Sequence, residues 1–377
     1  MKTILYYTLF ILCLFSACRN NENRALTNEN GFPVQTIKWK TQKDFRIKDI
    51  VRDIRYIMLE DSENSMFTAI DKLIIKGDRI YLLDITGPKS LLVFDISGKF
   101  LHRVGRQGGG PGEYAHSVIN FDVLDNDVVL LYDYVKRNMM FYDENGMYLK
   151  SVKSAFSFND FIMLPENRYL ISADKYEKHN DSREVILTRD LDHMDHSLFH
   201  FSDDYKGDKL NIRVFHPYRD HIAYMRPVSD TLFVLDRQAT VTRAYFFDFG
   251  NKKLPEELKN SYMETTAQRR KGIYYHYIFN APVMVNQYIF ANMFINDKKG
   301  IAVFNCENGT LTYEAFTPDN LSVKNVNFPL CVMNDSVIVS YIDSNLYDAI
   351  KDSFSVDAEI DNHLSNGGAI LCLYEIK

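Results

Sequence analysis

The stretch Leu91 to Tyr114, LLVFDISGKFLHRVGRQGGGPGEY, decides the fold. An apolar run stops at Asp95-Ile96-Ser97-Gly98 and resumes as a second, alternating run. The chain then enters a loop holding five glycines and a proline. Half of the pattern returns about fifty residues later as MMFYDENGMYLKSV, Met139 to Val152. A weaker third copy is IAVFNCENGTLTYEAF, Ile301 to Phe316. Gly98, Gly146 and Gly309 stand where a hairpin turn requires positive φ. One supersecondary unit that recurs cannot bury its sheet faces alone, so the copies must stack.

Working outward, the same rhythm runs from Ile70 to the carboxyl end. The first unit has Ile80 to Asp84, Leu91 to Asp95 and Phe100 to Val104, and four further units of four strands begin at Val118, Asp160, Asn211 and Ala281. A sixth has three, Phe328 to Met333, Val337 to Tyr341 and Ala369 to Glu375. Ile54 to Leu59 is a spare strand at the other end. The reading is all-β, a six-bladed β-propeller closed by an N-terminal strand, with helical insertions on one face. The many Phe and Tyr residues, 26 and 24, suit strands. A β-sandwich would not need such similar units.

The first seventeen residues stand outside the fold. Lys2 precedes an apolar run, Ile4 to Phe15, of about a dozen residues, well short of the roughly 20 of a membrane-spanning helix. Small residues then precede Cys18, which defines a secretory signal. Leu14-Phe15-Ser16-Ala17-Cys18 resembles a bacterial lipobox, with Phe15 where an aliphatic residue is commoner. The resemblance implies cleavage before Cys18 and its lipidation, hence a membrane anchor at an envelope surface. The expected organisation is a signal peptide over 1–17, a lipidated terminus and Asn-rich tether over 18–33, and the propeller over 34–377. Cys306, Cys331 and Cys372 lie in strand-like runs and read as small buried hydrophobes. The net charge of −6 gives no basic footprint for nucleic acid.

The run VFDISGKFLHRVGRQGGGPGEY also resembles the signature of six-bladed β-propeller lipoproteins abundant in Bacteroidetes, within the broad NHL-like group. The likeness spans Ile54 to Lys377 and is most specific at the glycine loop; the later blades match by rhythm. It implies fold and an envelope location far more than a function, so the residues must carry the rest.

Propeller geometry puts the loops between second and third strands on the same side as the loops leading into the next blade. The long excursions fall there: the glycine loop 105–114, a polar segment 175–183, Asn251 to Asn280, and Ser344 to Gly367, the last with Leu346, Ile350, Phe354, Ile360 and Leu364 at partly helical spacing. Pro255-Glu256-Glu257 suits a helix start. Loops on a rigid scaffold are where binding groups gather. The candidate ligand-binding residues are therefore Arg106, Gln107, Glu113, Tyr114, Asp133, Lys136, Arg137, Arg226, Asp230, Arg269, Tyr274 and His276. Aromatics beside Arg and Asp suit a sugar or a peptide. The glycine loop lacks the Gly-Lys-Ser/Thr ending of a phosphate cradle and reads as a tight connection. His193, His196 and His200 do not share a strand face, and no metal or cofactor is expected. The favoured reading is a binding module for a glycan, a peptide or a partner protein. The alternatives are a lyase or hydrolase pairing Glu113 with Asp133 or Asp230, and a structural adaptor in an envelope complex.

Overall fold

A computed structural model describes residues 26–27, 31–115, 118–175, 182–207, 213–316, 329–353 and 356–377. The signal segment and Cys18, most of the tether, and most of the 175–183 loop lie outside these residues.

The strands form six antiparallel sheets, each running from an inner strand at the axis to an outer strand at the rim. Blade one is Lys72–Lys76, Arg79–Asp84, Ser90–Asp95 and Phe100–Val104. Blade two is Val118–Val123, Val129–Asp133, Asn138–Tyr142 and Tyr148–Lys153. Blade three is Phe158–Leu164, Arg168–Ala173, Arg183–Thr188 and His196–His200. Blade four is Phe215–Tyr218, His221–Tyr224, Thr231–Leu235 and Val241–Asp248. Blade five has Val283–Val285 inside Tyr288–Ile295, Lys298–Asn305 and Leu311–Ala315. Blade six is Cys331–Asn334, Val337–Asp343 and Ala369–Ile376, completed by Val51–Leu59 from the other end of the chain. That closing strand pairs antiparallel with Ala369–Ile376, from Leu59 opposite Ala369 to Val51 opposite Ile376. The ring closes as the spare strand implies, and the closing strand begins three residues earlier than the sequence suggests.

The apolar runs follow from the stacking. A middle strand of a blade faces one neighbouring blade with its even positions and the other with its odd positions. In Arg79–Asp84, Tyr81 and Leu83 enter the core shared with blade two, while Ile80 and Leu82 enter the core shared with blade six. Both faces are buried, so YLL and LLVF read as continuous rather than alternating. Six such cores fill the six gaps between blades. Cys331 and Cys372 sit in two of them, and Cys306 is half-buried with its thiol donating to the Gln287 carbonyl at 3.0 Å.

The Asp-x-x-Gly turns do two jobs. Asp95 Oδ1 accepts from the Ser97 and Lys99 amides, and Asp143 Oδ1 does the same for Asn145 and Met147. The glycine then lies against the outer strand of the preceding blade. A Cβ on Gly98, at φ 93°, would stand 1.9 Å from the Met58 carbonyl oxygen; on Gly146, at φ 76°, it would stand 2.8 Å from that of Arg103. Gly98→Ala therefore strains the backbone and pushes against the closing strand at the seam of the ring. It is expected to cost about 1–3 kcal/mol, read as a lowered chemical-denaturation midpoint, whereas Gly309→Ala, with open space around it, pays only for φ. Blade four uses the same turn without glycine: Ala239 takes φ 62° three residues after Asp236, whose Oδ1 accepts from the Gln238 and Thr240 amides; in blade three the positive φ falls instead on Leu191, directly after Asp190.

One element has no counterpart in the sequence reading. Pro33–Lys38, expected to be tether giving way to propeller, adds to blade four in parallel with Val241–Asp248. Trp39 then packs among Phe249, His276, Phe304 and Tyr313, with ring centroids 4.9–6.5 Å apart. The Asp44 amide donates to the Leu311 carbonyl, and its carboxylate accepts from the Leu311 amide. Ile47 and Ile50 enter the core between blades five and six. The amino-terminal segment is thus a strap over blades four and five that delivers the closing strand to blade six.

Candidate functional site

Among the described residues, the inner strands line an axis with a cavity at each end. The turns between first and second strands rim the lower mouth, a cavity of about 740 Å³ bordered by Lys76, Asp125, Glu166, Arg219, Arg237 and Asp335. The loops leading into blades and those between second and third strands rim the upper mouth, a cavity of about 700 Å³. Arg213, His216 and Leu330 border both, so they form the waist between them.

A polar chain crosses the inner strands at this level. Lys72 Nζ of blade one donates to Asn120 Oδ1 of blade two at 2.7 Å and stands 3.7 Å from Asp160 of blade three. Asn120 Nδ2 donates to Asp160 Oδ1 at 2.6 Å. Asp160 Oδ2 accepts from the Val214 and Phe215 amides of blade four at 2.7 and 3.0 Å. Asp122 Oδ2 accepts from the Met163 amide at 2.8 Å, and burial raises its pKa. Burial also lowers the pKa values of Lys72 and Arg213 in spite of the carboxylates beside them. His216 is pushed down to about 3, first by burial and then by the positive charges of Arg213 and Lys72. Its imidazole is neutral at any physiological pH.

The upper cavity mixes surfaces. Ile70, Ile85, Ala281, Leu330 and the ring of Tyr341 give apolar wall, while Asp71, Asn280, Asn292, Asp343 and Asn345 give polar groups. Asp71 Oδ2 accepts from the Ile85 amide at 2.8 Å, and burial raises its pKa. Asp343 caps the helix Ser344–Ile350 by accepting from the Leu346 amide. Leu346 and Ala349 of that helix reach the cavity. A second helix, Ala358–Ser365, packs Ile360 and Leu364 into the core behind it. The 344–367 insertion is therefore helical and stands at the mouth; Phe354, assigned to it by spacing, lies outside the described residues.

The twelve rim residues lie elsewhere, and none borders either cavity. Arg106 pairs with Glu113 at 2.6 Å, and Glu113 also accepts from the Gly110 amide. Arg106–Gln107 and Glu113–Tyr114 pair in parallel across the base of the glycine loop. Gln107 donates to the Ala115 carbonyl at 3.3 Å, and buried Tyr114 donates to the Lys89 carbonyl at 2.8 Å. Asp133 accepts from the Ala115 and Lys136 amides, and Lys136 Nζ donates to the Glu113 carbonyl. Arg137 takes φ 52° at a turn, and its carbonyl accepts from the Ser154 amide. Arg226 lies 3.3 Å from Glu184 and over the Tyr205 ring. Asp230 holds Lys259 at 2.5 Å, pinning the 251–280 insertion, in which Pro255 opens a 3-10 turn, Glu256–Asn260, and the helix Tyr262–Arg270 follows, capped by Ser261 accepting from the Glu264 amide. Arg269 lies 3.6 Å over the Phe294 ring, His276 stacks on Trp39 with its pKa lowered by burial to about 4, and Tyr274 is exposed. These contacts hold loops to blades. Asp133 in particular belongs to a repeated latch: Asp84 and Asp174, ending the second strands of blades one and three, likewise hold the loops on their own blades.

The axial groups escaped a reading that looked for polar residues on loops. Their signal was present in the first strands: Lys72 in IDKLIIK, Asn120 and Asp122 in INFDV, Asp160 in FNDFIML, and Arg213 and His216 in RVFH are polar intrusions in otherwise apolar runs.

The fold and the axial cavity define a closed six-bladed propeller with a helical insertion beside its mouth. The chain belongs to the family described as a domain of unknown function, DUF4934, whose profile matches residues 32–365. It is similar to a solved structure from Bacteroides fragilis described as an exported protein, with a TM-score of 0.76 and 16% identity over 91% of this chain and 100% of that one. It is also similar to a member of the DUF4221 family from Bacteroides vulgatus, with a TM-score of 0.53 and 13% identity over 87% and 98%. At these identities the likeness is one of fold. No curated protein matches the chain.

Proposed function

We propose that this protein is a lipid-anchored binding module of the bacterial cell envelope, and that its ligand, a glycan or a peptide, enters the upper axial cavity. The observation that carries the reading is the cavity itself. Its volume falls in the range of small-ligand sites, and apolar wall and hydrogen-bonding groups meet within it. The helix Ser344–Ile350 gives the mouth a side wall that a bare propeller lacks. The lipobox-like run ending at Cys18 supports the anchor and the envelope location, and the exported description of the B. fragilis protein agrees with it. General acid–base chemistry at Glu113, Asp133 or Asp230 would require those carboxylates to leave the contacts that hold their loops. Binding requires no such rearrangement.

The test is a thermal-shift panel of oligosaccharides and peptides on the folded chain and on Ala349→Trp. Ala349 is exposed on its helix, so the indole fills the mouth without disturbing the core. The expected result is a ligand-dependent rise in Tm of a few degrees, corresponding to roughly 2–3 kcal/mol at a hundredfold excess over Kd, that disappears in the variant. A rise unchanged by Ala349→Trp would move the ligand away from the cavity. Radiolabelled palmitate incorporation lost in Cys18→Ser tests the anchor separately.

A further inference from the structure

We propose that the tip of the 251–280 insertion docks on an anionic phospholipid surface. This second membrane contact presupposes the anchor at Cys18 and is independent of any ligand in the axial cavity. Lys252, Lys253, Arg270 and Lys271 meet the headgroups, and Met263, Ile273 and Tyr274 enter the interface. The chain is acidic, with a net charge of −6, yet Asn251 to Asn280 holds six basic and three acidic residues. The fold sorts them. Glu256 and Glu257 precede the helix Tyr262–Arg270 and Glu264 lies in its first turn, where the dipole favours acids. Arg270 and Lys271 lie at the other end, and the backbone brings Lys252 and Lys253 back to it. The His276 amide donates to the Lys252 carbonyl at 2.8 Å, and Lys253 bridges His276 in parallel. Lys259 and Arg269 are spent inward, on Asp230 and on the Phe294 ring. The other four cations are exposed, and none forms an ion pair among the described residues.

Cations at a helix end offset the dipole, which accounts for Arg270 and Lys271. It does not account for the apolar side chains among them. Met263, seven residues before Arg270 and so on the same helix face, is 71% exposed; Ile273 and Tyr274 are 43% and 40% exposed. Nor is the tip a loose end. Gly272, at φ 77°, donates to the Arg269 carbonyl at 2.9 Å, and the Ile273 amide donates to that of Gln268 at 3.0 Å. That is a Schellman cap, in which the residue after the glycine commonly packs back on the helix; here Ile273 stays in solvent. The lipid side of the chain arrives at the same edge. Pro33–Lys38 lies on the outer strand of blade four, Leu26–Thr27 pairs with it, and Trp39 stacks on His276 with ring centroids 5.0 Å apart. Cys18 stands eight residues before Leu26, a reach of at most about 30 Å. The anchor therefore confines this edge near the bilayer, where cations act within a Debye length of the headgroups. Aliphatic and tyrosine tips flanked by cations suit the headgroup–acyl boundary.

The experiment is vesicle co-sedimentation of the mature chain from residue 18 carrying Cys18→Ser, which removes the lipid and keeps every described residue. The probes are vesicles of equal parts phosphatidylethanolamine and phosphatidylglycerol, and vesicles of phosphatidylcholine alone. Binding to the anionic vesicles and not to phosphatidylcholine is expected, and it should fall with added salt. Arg270→Glu with Lys271→Glu should lower it about tenfold or more. Ile273→Ser with Tyr274→Ser should lower it several-fold and leave the salt dependence of the remainder as in the parent. Lys99→Glu with Lys150→Glu, at exposed positions of blades one and two, should change nothing. If the Arg270 and Lys271 reversal does not fold, Arg270→Gln with Lys271→Gln carries the test at a smaller fold-change. Equal binding to both vesicles, binding to neither, or binding indifferent to the tip overturns the lipid contact, as does an equal loss in the blade one and two control. Loss of a protein partner in the tip variants without loss of vesicle binding assigns the surface to that partner and overturns it too. Palmitate incorporation at Cys18, read on the parent, separates failure of the anchor from failure of the tip.

Discussion

A chain shortened to begin at Glu60 is expected not to fold as a cooperative monomer, whereas one beginning at Phe45 is expected to keep a single unfolding transition at a lower temperature. The difference lies in what each truncation uncovers. Removing Val51–Leu59 strips the outer strand from Ala369–Ile376 along its whole length. Leu371, Cys372 and Leu373, buried at 0–3% exposure, become a sheet edge and a free blade face. Ile54, Ile57, Met58 and Leu59 leave the cores on either side of blade six. Leu59 is fully buried, worth about 1.5–3 kcal/mol, while Ile54, Ile57 and Met58 are partly buried and add less each; with the lost strand ladder the sum is a large fraction of the roughly 5–15 kcal/mol by which a domain is stable. The open edge would also pair with other copies. Truncation to Phe45 removes Pro33–Lys38, Trp39 and the Asp44–Leu311 hydrogen bonds from the rim. Six strand residues lose their ordering cost of about 1–2 kcal/mol each together with the burial of Ile37 and part of Trp39, so the net loss is small. Circular dichroism melts and size-exclusion chromatography of the two chains check this. A sharp melt and monomeric elution from the chain beginning at Glu60 would mean that the ring holds without its latch.

How much of this was legible in the sequence depends on whether a position reports a local or a distant constraint. Gly98 and Gly146 report a turn that the chain itself makes, and the turn exposed the repeat. Ala239 makes the same turn behind Asp236, but its side chain hides the positive φ. The closing strand was legible because one unit was a strand short. The strap was not: PVQTIK looks no different from a linker until Val241–Asp248 offers it an edge. The rim residues were chosen because loops carry function, yet Glu113, Asp133 and Asp230 are spent on making those loops rigid. The axial groups were overlooked for the converse reason. A lysine or aspartate in an apolar strand conflicts with burial unless other blades supply its partners, and those partners lie 40 to 55 residues away in sequence.

Asp160 shows what that conflict is worth. It is 1% exposed and joins four blades: it receives Asn120 of blade two, the Phe161 amide of its own strand and the Val214 and Phe215 amides of blade four, with Lys72 of blade one at 3.7 Å. Asp160→Ala leaves Lys72 without its carboxylate and the three amides without an acceptor. Breaking one side of a buried ion pair costs about 3–5 kcal/mol, so the variant should unfold well below the parent in urea. Asp160→Asn keeps one acceptor oxygen and should lose less. The informative case is the double variant Lys72→Met with Asp160→Asn. Once the cation is gone the neutral amide no longer faces an uncompensated charge, and stability should recover relative to Asp160→Asn alone; the methionine stem can rest on Phe121 and Phe161, over which the lysine ammonium now lies at 5.5 and 5.7 Å. Strictly additive losses in that cycle would show that Lys72 and Asp160 are not coupled and that the backbone amides alone account for the carboxylate's role in joining the inner strands.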